Sequence, residues 1–265
     1  MTNNTLEGAV IDLDGTVYLS EQLVDGARAG IEQLRAAGID VLFLTNNPIK
    51  PRTDYRDRLR ALGIDATLEE VINSASIAAD YLATHHPNAA TFVVGEPPLV
   101  AELRAANVEV TTDPQTANVV LASMDRSFDY AALRDVLEAF DEGPAPIFYA
   151  TNPDRTCPTA DGEIPDAAAM IGAIEGLTGR ELDAVLGKPS RYAVEAAMRQ
   201  LGTTPANCLV VGDRIATDVK MGTESGMSTA LVLSGATDRA DVAAAATEPD
   251  YVLESLGAVT SVLRQ

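Results

Sequence analysis

The chain has 265 residues, of which 46% are hydrophobic and 22% charged, and its 39 acidic and 19 basic residues give a formal charge of −20. This is enough chain to bury a real core, as one large domain or two modest ones, and the composition excludes a disordered protein. No run approaches the about 18 apolar residues of a membrane span, and so acidic a surface repels nucleic-acid phosphates, which argues against a membrane protein and against a duplex binder.

In chain order, the opening segment MTNNTLEGAVIDLDG lacks a basic n-region followed by an apolar h-region, so no secretory leader is expected. Ala9-Val10-Ile11 reads as a first strand running into Asp12-Leu13-Asp14-Gly15-Thr16. A helix is predicted over 26–37, with Ala27, Ile31 and Leu34 on one face and Gly38 closing it. Val41-Leu42-Phe43-Leu44 is short and wholly apolar, as a strand covered on both faces should be, and Thr45-Asn46-Asn47-Pro48 ends it. About 140 residues then separate Asn47 from Lys188, too many for a loop. This stretch carries strand patterns at 91–94, 119–121 and 147–149 and helical patterns at 128–140 and 166–177. Residues 80–180 are therefore expected to form an inserted α/β cap domain, with 1–79 and 181–265 as the core.

Beyond the insertion, Cys208-Leu209-Val210-Val211 runs into Gly212-Asp213-Arg214, and Thr229-Ala230-Leu231-Val232-Leu233 into Ser234-Gly235. The alanine-rich 240–247 is predicted helical. Strand–helix alternation of this kind specifies an α/β fold with a Rossmann-like, doubly wound parallel sheet. Asp12, Thr45 and Asp213 each sit just past an apolar strand, at the sheet edge where open α/β folds bind ligands. Cys157 and Cys208 are too few for a disulfide framework and lack metal-ligand spacing, which predicts reduced thiols in a cytoplasmic protein.

These polar positions carry the chemistry. Strand alternation puts Asp12 and Asp14 on one side, and Gly15 permits a tight turn there. One carboxylate of such a pair can serve as nucleophile and the other as proton donor if their environments differ. Gly212-Asp213-Arg214-Ile215-Ala216-Thr217-Asp218 adds two more carboxylates. Four carboxylates cannot receive a phosphate dianion without a cation, and magnesium, a hard ion that bridges carboxylates and phosphate oxygens, fits. The plainer reading of Asp213 is a cap on the next helix. Lys188, opening a helical segment in Gly187-Lys188-Pro189, suits an anionic ligand, or it is simply solvated. Thr45 and Asn46 offer a hydroxyl, an amide and backbone N–H groups to phosphoryl oxygens, with Asn47 beside them, although Asn-Asn-Pro is equally good turn chemistry.

Together these segments resemble the haloacid dehalogenase superfamily. Asp12-Leu13-Asp14-Gly15-Thr16, Thr45-Asn46-Asn47, Gly187-Lys188-Pro189 and the Gly212 to Asp218 run follow the family's motif order, and an insertion between the second and third is its C2 cap arrangement. Asp14-Gly15-Thr16-Val17-Tyr18, Thr151-Asn152-Pro153-Asp154 and Gly187-Lys188-Pro189-Ser190 are similar to the NagD-like branch, which includes phosphoglycolate and 4-nitrophenyl phosphatases. The resemblance implies a magnesium-dependent phosphatase of small phosphate monoesters. Asp12 would attack phosphorus to form an aspartyl-phosphate, and Asp14 would protonate the leaving oxygen and then activate water. Thr45, Asn46, Asn47 and Lys188 would bind the phosphoryl group. Asp12, the Asp14 carbonyl, Asp213 and, through water, Asp218 would hold Mg2+. In the cap, Asn152 and Asp154 are candidates to face the leaving group, or form turns beside Pro153, and Tyr18 is read as packing. Ser123-Met124 departs from the Gly-Leu that the branch carries before Asp-Arg. Relatives that pair through their caps imply a homodimer.

The alternatives on this fold are a phosphate-ligand-binding protein and a phosphotransferase or phosphomutase. Dehalogenation at carbon is disfavoured by Asp14 and Asp213, and ATP-driven pumps by the absence of their DKTGT motif. The acidic charge, with lysine only at 50, 188 and 220, fits either an ordinary cytosolic protein or one adapted to high salt.

Overall fold

A computed structural model describes residues 6–141, 145–159 and 161–263. The chain divides into two compact units, one of Met1–Thr45, Arg52–Ile72 and Ala193–Gln265, the other of Asn46–Pro51 and Asn73–Tyr192. The stretch 80–180 lies inside the second. Among the described residues, no helix is long and apolar enough to cross a membrane.

The first unit is built on a six-stranded sheet in the order Tyr251–Leu253, Ser228–Val232, Cys208–Gly212, Gly8–Ile11, Asp40–Thr45, Val71–Asn73. Gly8–Ile11 pairs in parallel with the strand on either side, Ile11 lying opposite both Phe43 and Val211. All four residues of Gly8–Ile11 are buried, as in a strand covered on both faces. Ala9, Ile11, Val41, Phe43, Leu209 and Val211 share one core with Ile31 and Leu34 of the helix Ala27–Ala36. That helix falls within the predicted 26–37, and Gly38 follows it with φ 79°.

The second unit repeats the theme with a five-stranded sheet: Ala184–Val185, Ile147–Ala150, Val119–Ala122, Thr91–Val94, Val110–Thr111. Every pairing in it is parallel. Alternation sorts its apolar residues to two faces. Val119, Leu121 and Tyr149 pack with the helices Ser74–His85 and Pro97–Ala105, whereas Val120, Ala122 and Phe148 pack with Tyr130–Asp141 and Ala167–Thr178. The chain is thus a Rossmann-like doubly wound core with an α/β cap, as the sequence pattern implies.

Two helices start or stop differently from expectation. The one expected to open at Lys188 begins at Arg191, because Pro189 keeps the residue before it out of the α conformation. The alanine-rich helix spans only Arg239–Ala244; Asp238 starts it with a capping box, and Ala245 is already extended ahead of Pro249.

Candidate active site

In the first unit, three adjacent strands end in polar residues. Asp12 directly follows Gly8–Ile11, and its N–H donates to Val211 O at 2.8 Å, so the backbone is still held in the sheet as the side chain leaves it. Thr45 is the last residue of Asp40–Thr45, and Asp213 follows Cys208–Gly212 directly. Since Ile11 faces both Phe43 and Val211, these residues stand within two positions of one another along the sheet edge. Asp12, Thr45 and Asp213 are all buried.

Asp14 is placed by a turn, and not by strand alternation, because the strand stops at Ile11. The carbonyl of Leu13 accepts from the N–H groups of Thr16, Val17 and Tyr18, which folds the chain back on itself, and Gly15 takes φ 90°. Only glycine adopts that angle without strain, and a Cβ on Gly15 would collide with the Asp213 carboxylate. Gly15 N–H donates to Tyr18 O at 2.8 Å, and Ser234 Oγ donates to Gly15 O at 2.7 Å. The half-buried Asp14 therefore stands on a short, well-tethered loop. Tyr18 is packing, as expected: it is fully buried, with the Arg58 guanidinium 3.9 Å from its ring centroid. Burial, and then the charge of Asp14, raise its phenol pKa, so it stays a neutral hydroxyl.

Asp213 does not cap a helix. Its Oδ2 accepts the N–H of Ala236 at 2.6 Å, while Arg214 stands at the cap position with no side-chain cap bond. A π-helical turn, Ile215–Val219, comes next. This one-residue widening aims Asp218 back to the start of its own turn, where its Oδ2 accepts from Arg214 N at 3.2 Å. Its carboxylate also packs onto Gly212, where any Cβ would overlap it. As a result Asp12, Asp213 and Asp218, all buried, each offer an oxygen within 4.8 Å of the others. The Asp14 side chain is not in this group. Three buried carboxylates packed this closely repel one another strongly unless a cation intervenes, and an all-oxygen donor set suits a hard divalent ion.

The second unit gathers the remaining candidates. Asn46 Oδ1 accepts from Lys188 N at 2.9 Å, and its Nδ2 donates to Lys188 O at 3.1 Å and to Asp154 Oδ2 at 2.8 Å. Asn152 Nδ2 donates to Asp154 Oδ2 and to Asp166 Oδ1, each at 3.0 Å, and its Oδ1 accepts from Thr151 Oγ1 at 2.8 Å. Asn152 and Lys188 are buried. Asn47 Oδ1 accepts from Ile49 N at 3.2 Å, a turn contact. The two cysteines are buried and not disulfide-bonded to each other, and burial pushes the Cys208 thiol up to about 12.

Sequence reasoning missed Asp166, Ser74 and the Ala236 N–H. Asp166 announces itself as an Asp before an alanine run, where it caps Ala167–Thr178 by accepting from Ala167 N. Ser74, whose Oγ donates to Asn46 O at 2.6 Å, gives no such local signal, and neither does Ala236.

Comparison with known proteins gives a consistent picture. Residues 9–109 match the family profile described as haloacid dehalogenase-like hydrolase, and residues 185–259 match one described as HAD-hydrolase-like. The chain is 36% identical to the sugar-phosphatase AraL of Bacillus subtilis, over 97% of its own length and 93% of that protein's. It is 33% identical to chronophin of Homo sapiens, over 97% and 93% of the two chains. Among solved structures, the p-nitrophenyl phosphatase from Archaeoglobus fulgidus matches with a TM-score of 0.91 at 33% identity, covering 97% of this chain and 99% of that one.

Proposed function

The chain belongs to the haloacid dehalogenase-like hydrolases and is a phosphatase of that family; from this premise we propose that it hydrolyses small-molecule phosphate monoesters, with magnesium, through an aspartyl-phosphate on Asp12. The observation that carries this reading is the buried group Asp12, Asp213 and Asp218 at the carboxyl edge of the sheet, with their oxygens within 4.8 Å.

The steps follow from the groups available. A carboxylate oxygen of Asp12 attacks phosphorus and the bond to the ester oxygen breaks, while protonated Asp14 gives its proton to that oxygen. Asp14, now a carboxylate, takes a proton from water; the water oxygen attacks phosphorus and releases inorganic phosphate and the Asp12 carboxylate. Asp12, Asp213, the Asp14 carbonyl and, through water, Asp218 would hold Mg2+, which supplies charge neutralisation for the phosphoryl oxygens. Thr45, Asn46, Asn47 and Lys188 bind the phosphoryl group in this reading, the ammonium of Lys188 offsetting its charge. Asn152 and Asp154, the cap candidates to face the leaving group, also hydrogen-bond inside their own unit.

The cap of this proposal is the stretch 80–180, and the setting is the cytoplasm, with pairing through the cap as the expected assembly. The test is a panel of alkyl, sugar, nucleotide and aryl phosphates assayed with and without magnesium, together with capture of beryllium fluoride on Asp12. Turnover that survives thorough chelation, or fluoride bound away from Asp12, would refute the mechanism.

A further inference from the structure

The amide of Asn46 is saturated by its own unit. Its two N–H groups go to Asp154 Oδ2 (2.8 Å) and Lys188 O (3.1 Å), and its oxygen accepts Lys188 N–H (2.9 Å). No amide hydrogen is left to donate to a ligand. The side chain instead clamps the Lys188 backbone at two points.

That clamp works in only one amide orientation, and Asp154 reinforces it. A carboxylate only accepts hydrogen bonds, so the nitrogen end of Asn46 must face Asp154 and the oxygen end must face Lys188 N–H. A flipped amide would set oxygen against oxygen and lose the Lys188 N–H bond as well. The same Asp154 oxygen accepts from Asn152, whose amide bridges on to Asp166 (3.0 Å each). Asp166 is itself fixed as the cap of Ala167–Thr178. Asn152 is fully buried and Asp166 is 4% exposed, so this end of the chain of bonds is anchored in the cap's interior. Asn46 and Asp154 stand 108 residues apart in sequence, and Asn46 and Lys188 stand 142 apart.

We propose that Asp154 is a positioning residue, whose carboxylate orients the Asn46 amide and through it holds Lys188 where it serves the phosphoryl group. The proposal rests on the reading of Lys188 as a phosphoryl-binding residue. It differs from a substrate contact in its consequences. Displacing Lys188 weakens the reaction for every ester alike, because the phosphoryl group is common to all of them, whereas losing a contact to the leaving group reorders preference among esters.

The experiment compares Asp154→Ala and Asp154→Asn in the full-length protein, alone and combined with Asn46→Ala. Asp154→Ala should lower kcat/KM by about 10- to 100-fold, by one common factor for alkyl and aryl phosphates. Asp154→Asn, which keeps an acceptor oxygen for both amides, should recover most of that loss. With Asn46→Ala already present, Asp154→Ala should cost under about twofold more, since coupled residues are not additive. A reordered substrate preference, an undiminished loss in the Asn46→Ala background, or a lower Tm with kcat/KM intact would each overturn the proposal. A second readout separates its failure from failure of the phosphatase reading. The rise in Tm that inorganic phosphate produces in the wild-type protein should shrink in Asp154→Ala, whatever the turnover, and an unchanged rise counts against Asp154.

Discussion

The two units use the same device to opposite ends. Each is a parallel sheet whose carboxyl edge collects polar residues: Asp12, Thr45 and Asp213 after strands of the first, and Ser123, Thr151, Asn152 and Lys188 beyond strands of the second. In the second unit donors and acceptors match. Thr151 Oγ1 is 2.8 Å from both Ser123 Oγ and Asn152 Oδ1, and the Asn152 amide lies between two carboxylates. In the first unit three carboxylates crowd within 4.8 Å of one another. Like charges this close are costly to hold together and favour a cation from solution, whereas the carboxylates of the second unit are paired with amide donors. Parallel-sheet topology supplies an edge; the residues that end its strands decide whether like charges or matched donors and acceptors gather there.

The largest test of this contrast removes the reacting group. Asp12→Asn should lower turnover of 4-nitrophenyl phosphate by at least about a thousandfold while leaving the far-UV circular dichroism unchanged. Retention of more than a few per cent of activity would show that the core edge does not react covalently.

Leaving-group dependence comes next. Asp14→Asn should cost about 100-fold or more on an alkyl phosphate, whose alkoxide must be protonated, and distinctly less on 4-nitrophenyl phosphate, whose phenolate departs unaided. Equal losses on the two would remove Asp14 from the role of acid.

Metal linkage tests the charge imbalance directly, without turnover. Magnesium at about a hundredfold excess over its Kd contributes about 2.7 kcal/mol, which for a chain of this size is a rise in Tm of about 5–10 °C. Asp213→Asn should abolish most of that rise, yet melt no lower than wild type in chelator, because one of three crowded negative charges is gone. Asn152→Ala should behave oppositely, melting lower with or without magnesium, since it strands buried partners in a network held by hydrogen bonds. If both variants respond to magnesium as the wild type does, the contrast between the edges fails.

The smallest effect concerns the surface common to both units. Twenty uncompensated negative charges weaken the compact state at low ionic strength. The Debye length falls from about 10 Å at 0.1 M salt to about 3 Å at 1 M. Melting temperature and activity should therefore both rise between those potassium chloride concentrations at saturating magnesium. Flat profiles would leave an ordinary acidic protein.

Much of this molecule was legible in its residues. Short apolar runs ended by Asp12, Thr45 and Asp213 mark buried parallel strands and their reactive edge, because burial on both faces and abrupt termination are local properties. The order of the four motifs identified the family. The Asp12 and Asp14 pair was found by a rule that the turn then replaced, since the strand stops at Ile11 and the three N–H groups meeting Leu13 O set the loop instead. Other features had no local signature at all. Asp213 was expected either to hold a metal or to cap a helix, and its bond to Ala236 N comes from 23 residues away. The Asn46, Asp154 and Lys188 alliance joins residues over 100 positions apart, each of which reads alone as turn chemistry or a solvated charge. Residue types and periodicity determine which groups stand at a strand end. Which of them meet, and so which are spent on one another and which stay available to a substrate, is decided only when the tertiary fold brings distant donors and acceptors into reach.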